Sequence, residues 1–389
     1  MRTRSIHGSA IALGFISLAI SYIKFSRCIP GGWLTPDVYL RGCYTDITAL
    51  YYVRGFATDI WPYGSGNDSL EYPLLSGIGI WLISLFSPNG VAGLLPFFHI
   101  NLLTISALTL LVGYRLYVLD PRNLFLFSLS PAVISALFIN WDIWAIAPLL
   151  LAIFYLNKER HWIAGLFISL SIFLKFFPVI YLVPIALVLN FRSRGFYRFF
   201  SGFMVTSLAI NLPLMLTQFD GWLKFYIFNF SRGIDFGSIW HLYSLKYGWI
   251  DDINWLITPI ILTFLIGCYL RYRANLLGSI FLTSVIFFTL NKVYSPQYVL
   301  WLTIVALLYF PKTKSFYLLF TLWQSGEYLY QYGIWRHLLT VLDEPSGIST
   351  DTYLVLSGLR IMSLLVLAGY AIFLLENNLI KSRRSKADI

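Results

Sequence analysis

Runs of apolar residues, separated by short polar or basic breaks, follow one another along nearly the whole chain. The first covers 9–25. After a polar interval at 26–71 come 73–86, 91–118, 124–139 and 141–157, then 162–174 and 176–190. The series continues through 199–217, 252–270, 275–291, 297–310, 315–333 and 352–375. Many approach the ~20 residues that a helix needs to cross ~30 Å of hydrocarbon. The pattern predicts an all-α polytopic membrane protein with no separate soluble domain and no 20–50-residue repeat. Within the polar interval, 45–55 reads as a short amphipathic helix lying in the interface and ended by Gly55.

Composition supports this picture. A chain that is 58% hydrophobic and 12% charged cannot coat a water-soluble surface. Its net charge of +10 suggests nucleic acid until the placement of the charges is considered. Most Lys and Arg fall in the breaks: Arg2/Arg4, Arg115/Arg122, Lys158/Arg160, Arg192/Arg194/Arg198, Arg271/Arg273, Lys312/Lys314 and the tail Lys381–Lys386. The positive-inside rule assigns these, and both termini, to the cytoplasm, with 9–25 a retained helix. For this to hold, 73–86 must dip into the membrane and return, which leaves 12 full crossings. Exposed backbone at that depth requires cover from protein or a water-filled cavity. Most acids then gather outside, among them Asp37, Asp46, Asp59, Asp68, Glu71, Asp142, Asp220, Asp235, Asp251 and Asp252. Cys28, Cys43 and Cys268 have no metal-ligand spacing. Cys28 and Cys43 can pair if both face an oxidising compartment, but free thiols are the expectation.

Several costly polar residues sit at the outer turns. Asp46 reads either as a catalytic carboxylate or as a first-turn acid suited to the helix dipole. Glu71-Tyr72-Pro73 reads as helix capping or as part of a site. Asn140-Trp141-Asp142 is an N-capping turn or a carboxylate facing a cavity at the hydrocarbon edge. Lys175, in Leu174-Lys175-Phe176-Phe177-Pro178, lies where two half-helices meet; it snorkels to the interface or lines a site. Lys292, in Asn291-Lys292-Val293-Tyr294-Ser295-Pro296-Gln297-Tyr298, repeats that arrangement, and two such lysines suit a compact anion such as a phosphate. The stretch 218–251 is the longest outer loop and is rich in aromatics, including Trp222, Trp240 and Trp249. It anchors in the headgroups, or it forms a lid that brings His241 to the site; a lone histidine is more often structural. Glu327 and Arg360 are the main ionisable residues falling mid-span.

Taken together, Cys43-Tyr44-Thr45-Asp46-Ile47, Glu71-Tyr72-Pro73-Leu74-Leu75, Asn140-Trp141-Asp142, Lys175-Phe176-Phe177-Pro178 and Lys292–Tyr298 resemble the GT-C superfamily of integral-membrane glycosyltransferases. They look most like the bacterial polyprenyl-phosphate-mannose-dependent mannosyltransferases. A fainter likeness runs to the catalytic subunit of the eukaryotic first GPI-anchor mannosyltransferase. The likeness covers about 40–300, which suggests a catalytic module at 1–310 followed by C-terminal helices and a basic tail at 311–389.

The resemblance implies an inverting transferase working on the outer face of a membrane, here expected to be a bacterial plasma membrane. Its donor is a sugar, expected to be mannose, on a polyprenyl phosphate, and its acceptor is a hydroxyl of a lipid-linked or envelope glycan. Asp46 is the implied general base, and Lys175 and Lys292 would stabilise the departing phosphate. His241 is placed with the donor phosphate, and Glu71, Tyr72, Trp141, Asp142 and Gln297 with the substrates. Some relatives carry Asp-x-Asp in the first outer loop, whereas position 44 here is Tyr44. A single carboxylate is a poor divalent-metal site, so no metal and no other cofactor is expected. The competing readings are a transporter or flippase of lipid-linked sugars and an inactive scaffold. Candidates gathered at one face favour the enzyme over a midplane transport site.

Overall fold

The computed structural model describes residues 2–64, 70–248 and 254–387. Asp68, Trp249, Asp251, Asp252 and Asp388 lie outside the described residues, as do the side chains of Arg2, Arg4 and the basic tail. Among the described residues every regular element is helical. The chain forms two compact units interleaved in sequence. The first comprises Met1–Leu129, Val133–Ile180 and Leu189–Arg232; the second comprises Ser130–Ala132, Tyr181–Val188 and Gly233–Ile389. This is a division by packing, different in kind from the 1–310 and 311–389 division suggested by resemblance.

Among the described residues, five helices are singly long and apolar enough to cross a membrane: Ala12–Gly31, Gly90–Leu119, Arg194–Thr217, Trp255–Tyr272 and Thr350–Ile380. The remaining apolar helices are short for a reason visible in the chain. The expected run at 124–139 is cut at Ser130-Pro131 into Pro121–Leu129 and Pro131–Ala136, since proline removes a helix donor and excludes helical backbone before it. The run around Lys175 divides into His161–Leu174, a 3-10 turn Phe177–Tyr181 and Leu182–Leu189, as the half-helix reading anticipated. The segment that was expected to dip is the helix Leu74–Ser84. Its 11 residues reach about 16 Å, half the hydrocarbon thickness. Its two glycines lie under Tyr63 and Trp144, where a β-carbon would collide. The expected aromatic loop at 218–251 is instead largely two helices, Phe219–Ser231 and Ile239–Tyr247, which belong to different units.

In the first unit, His161–Leu174 packs between Asp142–Asn157 and Arg194–Thr217. Gly165 and Gly202 let two of these backbones touch, since a β-carbon at either would strike the carbonyl of Phe199 or Trp162. Small residues at helix contacts serve this purpose where hydrocarbon offers no hydrophobic drive. Ser169 and Ser207 hydrogen-bond across that contact, and Ser171 donates to the Ala145 carbonyl on the other side at 2.8 Å.

Cys28 and Cys43 form a disulfide, contrary to the free thiols expected from spacing alone. The fold brings their α-carbons to 6.2 Å, within bridging range. Closing 15 residues of chain restricts the unfolded state by about 3 kcal/mol. Cys43→Ser is therefore expected to lower the unfolding midpoint in a thermal melt, and added reductant should lower the wild type to the same value.

In the second unit, Leu276–Leu290 and Val299–Tyr309 flank a turn at 291–298 and are almost wholly buried. Lys314–Val341 packs along Thr350–Ala387, with Gly326 and Gly333 at the contact. Lys314–Val341 is long enough to cross, but it carries buried Gln324, Glu327, Gln331 and His337.

Candidate active site

The helix carrying Asp46 spans Asp46–Val53 and begins where its sequence dictates. Thr45 is extended and accepts from the Ile47 amide, a standard N-cap. Gly55, at φ 71°, follows the C-cap in a left-handed conformation that glycine adopts freely. Both features match the predicted 45–55 helix. The cap is also tied to a distant segment. Thr45 Oγ1 donates to the Phe138 carbonyl at 2.7 Å, and the Asp46 amide donates to the Ile139 carbonyl at 2.7 Å. This places Asp46 directly beside the Asn140-Trp141-Asp142 turn.

Both carboxylate oxygens of Asp46 are held by phenols. Tyr44 donates to Oδ1 at 3.0 Å and Tyr72 to Oδ2 at 3.1 Å. Burial pushes the Asp46 carboxyl above its ordinary range, against the opposing pull of the two phenols and nearby Lys175; neighbouring Glu71 adds to the rise. The negative charge of Asp46, with burial, drives the Tyr44 hydroxyl upward; for Tyr72, burial leads and Asp46 contributes. The phenols therefore stay protonated and donate to the Asp46 carboxylate. A carboxylate raised by burial and fixed in direction has the properties that proton abstraction needs. Since the Tyr44 bond favours the ionised form, Tyr44→Phe raises the Asp46 pKa further. The acid limb of the activity–pH profile is expected to move to higher pH, a shift that initial rates across pH would reveal.

Asp142 begins its own helix, its amide bound to Asn140 Oδ1 at 3.0 Å. The side chain is fully buried and pairs with Lys175 Nζ at 2.8 Å. Lys175 caps the end of His161–Leu174, and Ser76 Oγ donates to the Leu174 carbonyl at 2.6 Å. Lys175 Nζ also sits 4.8 Å from the Tyr72 ring centroid, so Tyr72 touches Asp46 with its hydroxyl and the cation with its face. Trp141 meets the same ring edge-on at 5.5 Å and anchors its indole on Asn101 at 2.7 Å. Glu71 pairs with Arg54 Nε at 2.6 Å. The first unit thus gathers Asp46, Tyr72, Glu71, Trp141, Asp142 and Lys175. It adds two residues that sequence reading missed. Tyr44 registered only as a departure from Asp-x-Asp. Arg54 went unnoticed, although a basic residue ending a helix on the acid-rich side was a usable signal.

The second unit carries the other candidates. Lys292 follows Leu276–Leu290, and its carbonyl accepts from the Asp235 amide at 2.9 Å. Gln297 is buried in the 3-10 turn Pro296–Tyr298. His241 is buried on Ile239–Tyr247, with its amide bound to Ser238 Oγ at 3.1 Å and its ring on Phe236 at 4.7 Å. Burial pushes its imidazole below the ordinary range, partly opposed by Asp235.

Apolar helices of spanning length, together with a carboxylate, a cation and aromatic faces gathered in the first unit, define an integral-membrane protein with a buried polar cluster. The family follows from comparison. Residues 70–296 match glycosyltransferase family 87, over half of the chain, and the protein belongs to that family. The chain is 27% identical over 219 residues to GPI mannosyltransferase 1 of Saccharomyces cerevisiae, covering 48% of this chain and 52% of the relative. It is 26% identical over 183 residues to the Kluyveromyces lactis protein of the same name, covering 42% and 45%. Against the GPI alpha-1,4-mannosyltransferase I catalytic subunit of Danio rerio it is 27% identical over 210 residues, covering 46% and 54%. The chain spans about half the length of these curated relatives. They correspond to the likeness that the sequence motifs carried more faintly, not to the bacterial subtype placed first.

Proposed function

We propose that this glycosyltransferase moves mannose from a polyprenyl-phosphate carrier to a hydroxyl of a lipid-linked glycan, with inversion, on the non-cytoplasmic face of its membrane. The observation that carries the reading is the Asp46 carboxylate, oriented by two phenols, raised by burial and placed beside a cation. The names of the relatives, all GPI mannosyltransferases, favour mannose as the sugar and a lipid-anchored glycan as the acceptor.

In this reading Asp46 takes the proton of the acceptor hydroxyl as its oxygen bonds to the anomeric carbon of mannose. The bond from that carbon to the phosphate oxygen breaks, and the electron pair leaves with the polyprenyl phosphate. Lys175 stabilises the charge appearing on that phosphate, and Asp142, at 2.8 Å, holds Lys175 in place. Lys292 and His241 also serve the donor phosphate, and Glu71, Tyr72, Trp141 and Gln297 the substrates. For Tyr72 and Glu71 this means contact through groups already fixed by Asp46 and Arg54. The Cys28–Cys43 bridge, next to Tyr44, favours an oxidising compartment for this face.

The test is to supply membranes containing the protein with radiolabelled polyprenyl-phosphate mannose and a lipid-linked glycan acceptor. Label should reach the acceptor, dependent on Asp46. Transfer from a nucleotide sugar but not from the lipid donor would overturn the reading.

A further inference from the structure

The second unit contains a buried ion pair that the proposed reaction does not use. Arg360, on Thr350–Ala387, and Glu327, on Lys314–Val341, are both fully buried and meet at 2.7 Å. A buried pair is weak evidence for stability, because apolar residues of similar volume often replace it at no loss. Ionisable groups at such depth instead point to function.

The remaining bonds of Arg360 show what the pair holds. Its Nη1 donates to the Tyr294 carbonyl at 2.6 Å and its Nη2 to the Ser295 carbonyl at 2.9 Å. The planar fork therefore grips two successive carbonyls of the turn at 291–298 while Nε engages Glu327. The Tyr294 ring lies under the guanidinium at 3.3 Å, and its hydroxyl donates to Glu327 Oε1 at 2.7 Å. Trp323 donates to the same oxygen at 3.2 Å. From the other side, the Lys292 carbonyl is fixed by the Asp235 amide. Gly237, at φ 77°, presses so closely on the Tyr294 carbonyl that a β-carbon there would collide. Pro296 cannot donate and begins the 3-10 turn that carries Gln297.

We infer that Arg360 and Glu327 are positioning residues that clamp the 291–298 turn, so that Lys292 and Gln297 are presented to the donor in one fixed geometry. The inference rests on the reading of Lys292 as a donor-phosphate ligand. A lysine at 360 keeps a charge opposite Glu327 but cannot hold two carbonyls as a fork. Its loss reaches the donor through Lys292, so it acts on donor affinity more than on turnover.

Purified full-length protein would be assayed for transfer with varied polyprenyl-phosphate mannose, comparing wild type, Arg360→Lys, the paired apolar replacement Arg360→Met/Glu327→Leu, and Lys292→Ala alone and combined with Arg360→Lys. Arg360→Lys is expected to raise the donor KM roughly tenfold, the scale of one charge-assisted hydrogen bond, with kcat and the thermal midpoint close to wild type. The paired replacement is expected to stay folded and show the same rise. In the Lys292→Ala background, Arg360→Lys should add little. A rate lost only in proportion to folded protein, with KM unchanged, would overturn the clamp as a positioning device, as would full additivity with Lys292→Ala. If Lys292→Ala itself leaves the donor KM unchanged, the donor-site reading falls and takes the clamp's role with it. If Lys292→Ala raises KM and neither Arg360 variant does, only the clamp falls.

Discussion

Membranes carrying Asp46→Asn are expected to transfer sugar 10²–10⁴-fold more slowly than wild type, about the worth of a positioned general base. Asparagine keeps the shape and can still accept from one of the two phenols, while the Thr45 cap and the Asp46 amide bond are untouched. The variant should therefore melt with the wild type and bind donor as well, so the loss falls on kcat. Initial rates over a range of donor concentration, read beside a thermal melt, separate the two. Wild-type rates from Asp46→Asn would remove Asp46 as the base, whatever else in the first unit survived.

The second large effect concerns Lys175 and Asp142. Lys175→Met leaves a fully buried carboxylate opposite an apolar side chain. Removing one partner of a buried pair costs about 3–5 kcal/mol, because the remaining charge is uncompensated. A steep drop in the thermal midpoint is expected, along with loss of transfer. Adding Asp142→Asn removes the stranded charge and should recover most of the midpoint, whereas transfer should stay low because the phosphate has lost its cation. If the double variant regains activity together with stability, Lys175 serves the fold alone. If the single variant is as stable as wild type, Asp142 has another way to hold its charge.

What the sequence revealed and what it hid divide along a physical line. Local signals were legible. Thr45 and Gly55 bound the Asp46 helix, Pro178 follows the junction at Lys175, and Pro73 opens the short helix after Glu71. Each is a property of a few neighbouring residues and their backbone preferences. Partnerships through space were not legible. Nothing in the spacing says that Lys175 pairs with Asp142, that Arg54 takes Glu71, or that Tyr44 turns its hydroxyl onto Asp46. The Cys28–Cys43 bridge was weighed but ranked below free thiols for the same reason. Hydropathy read 124–139 as one run because it cannot see that Ser130-Pro131 divides it into two helices. It also read 218–251 as a loop, since Phe219–Ser231 and Ile239–Tyr247 mix aromatic and polar residues that form helices once packed.

The bonds from Thr45 and Asp46 to the carbonyls of Phe138 and Ile139 join segments more than 90 residues apart in sequence. Anyone building chimeras within the family meets this tie as a rule of inheritance. A graft of 40–55 alone sets the carboxylate on a foreign seat, and a one-residue insertion at 138–141 moves it as surely as a change in its own helix. The two segments are one exchangeable part, to be transplanted together or left alone.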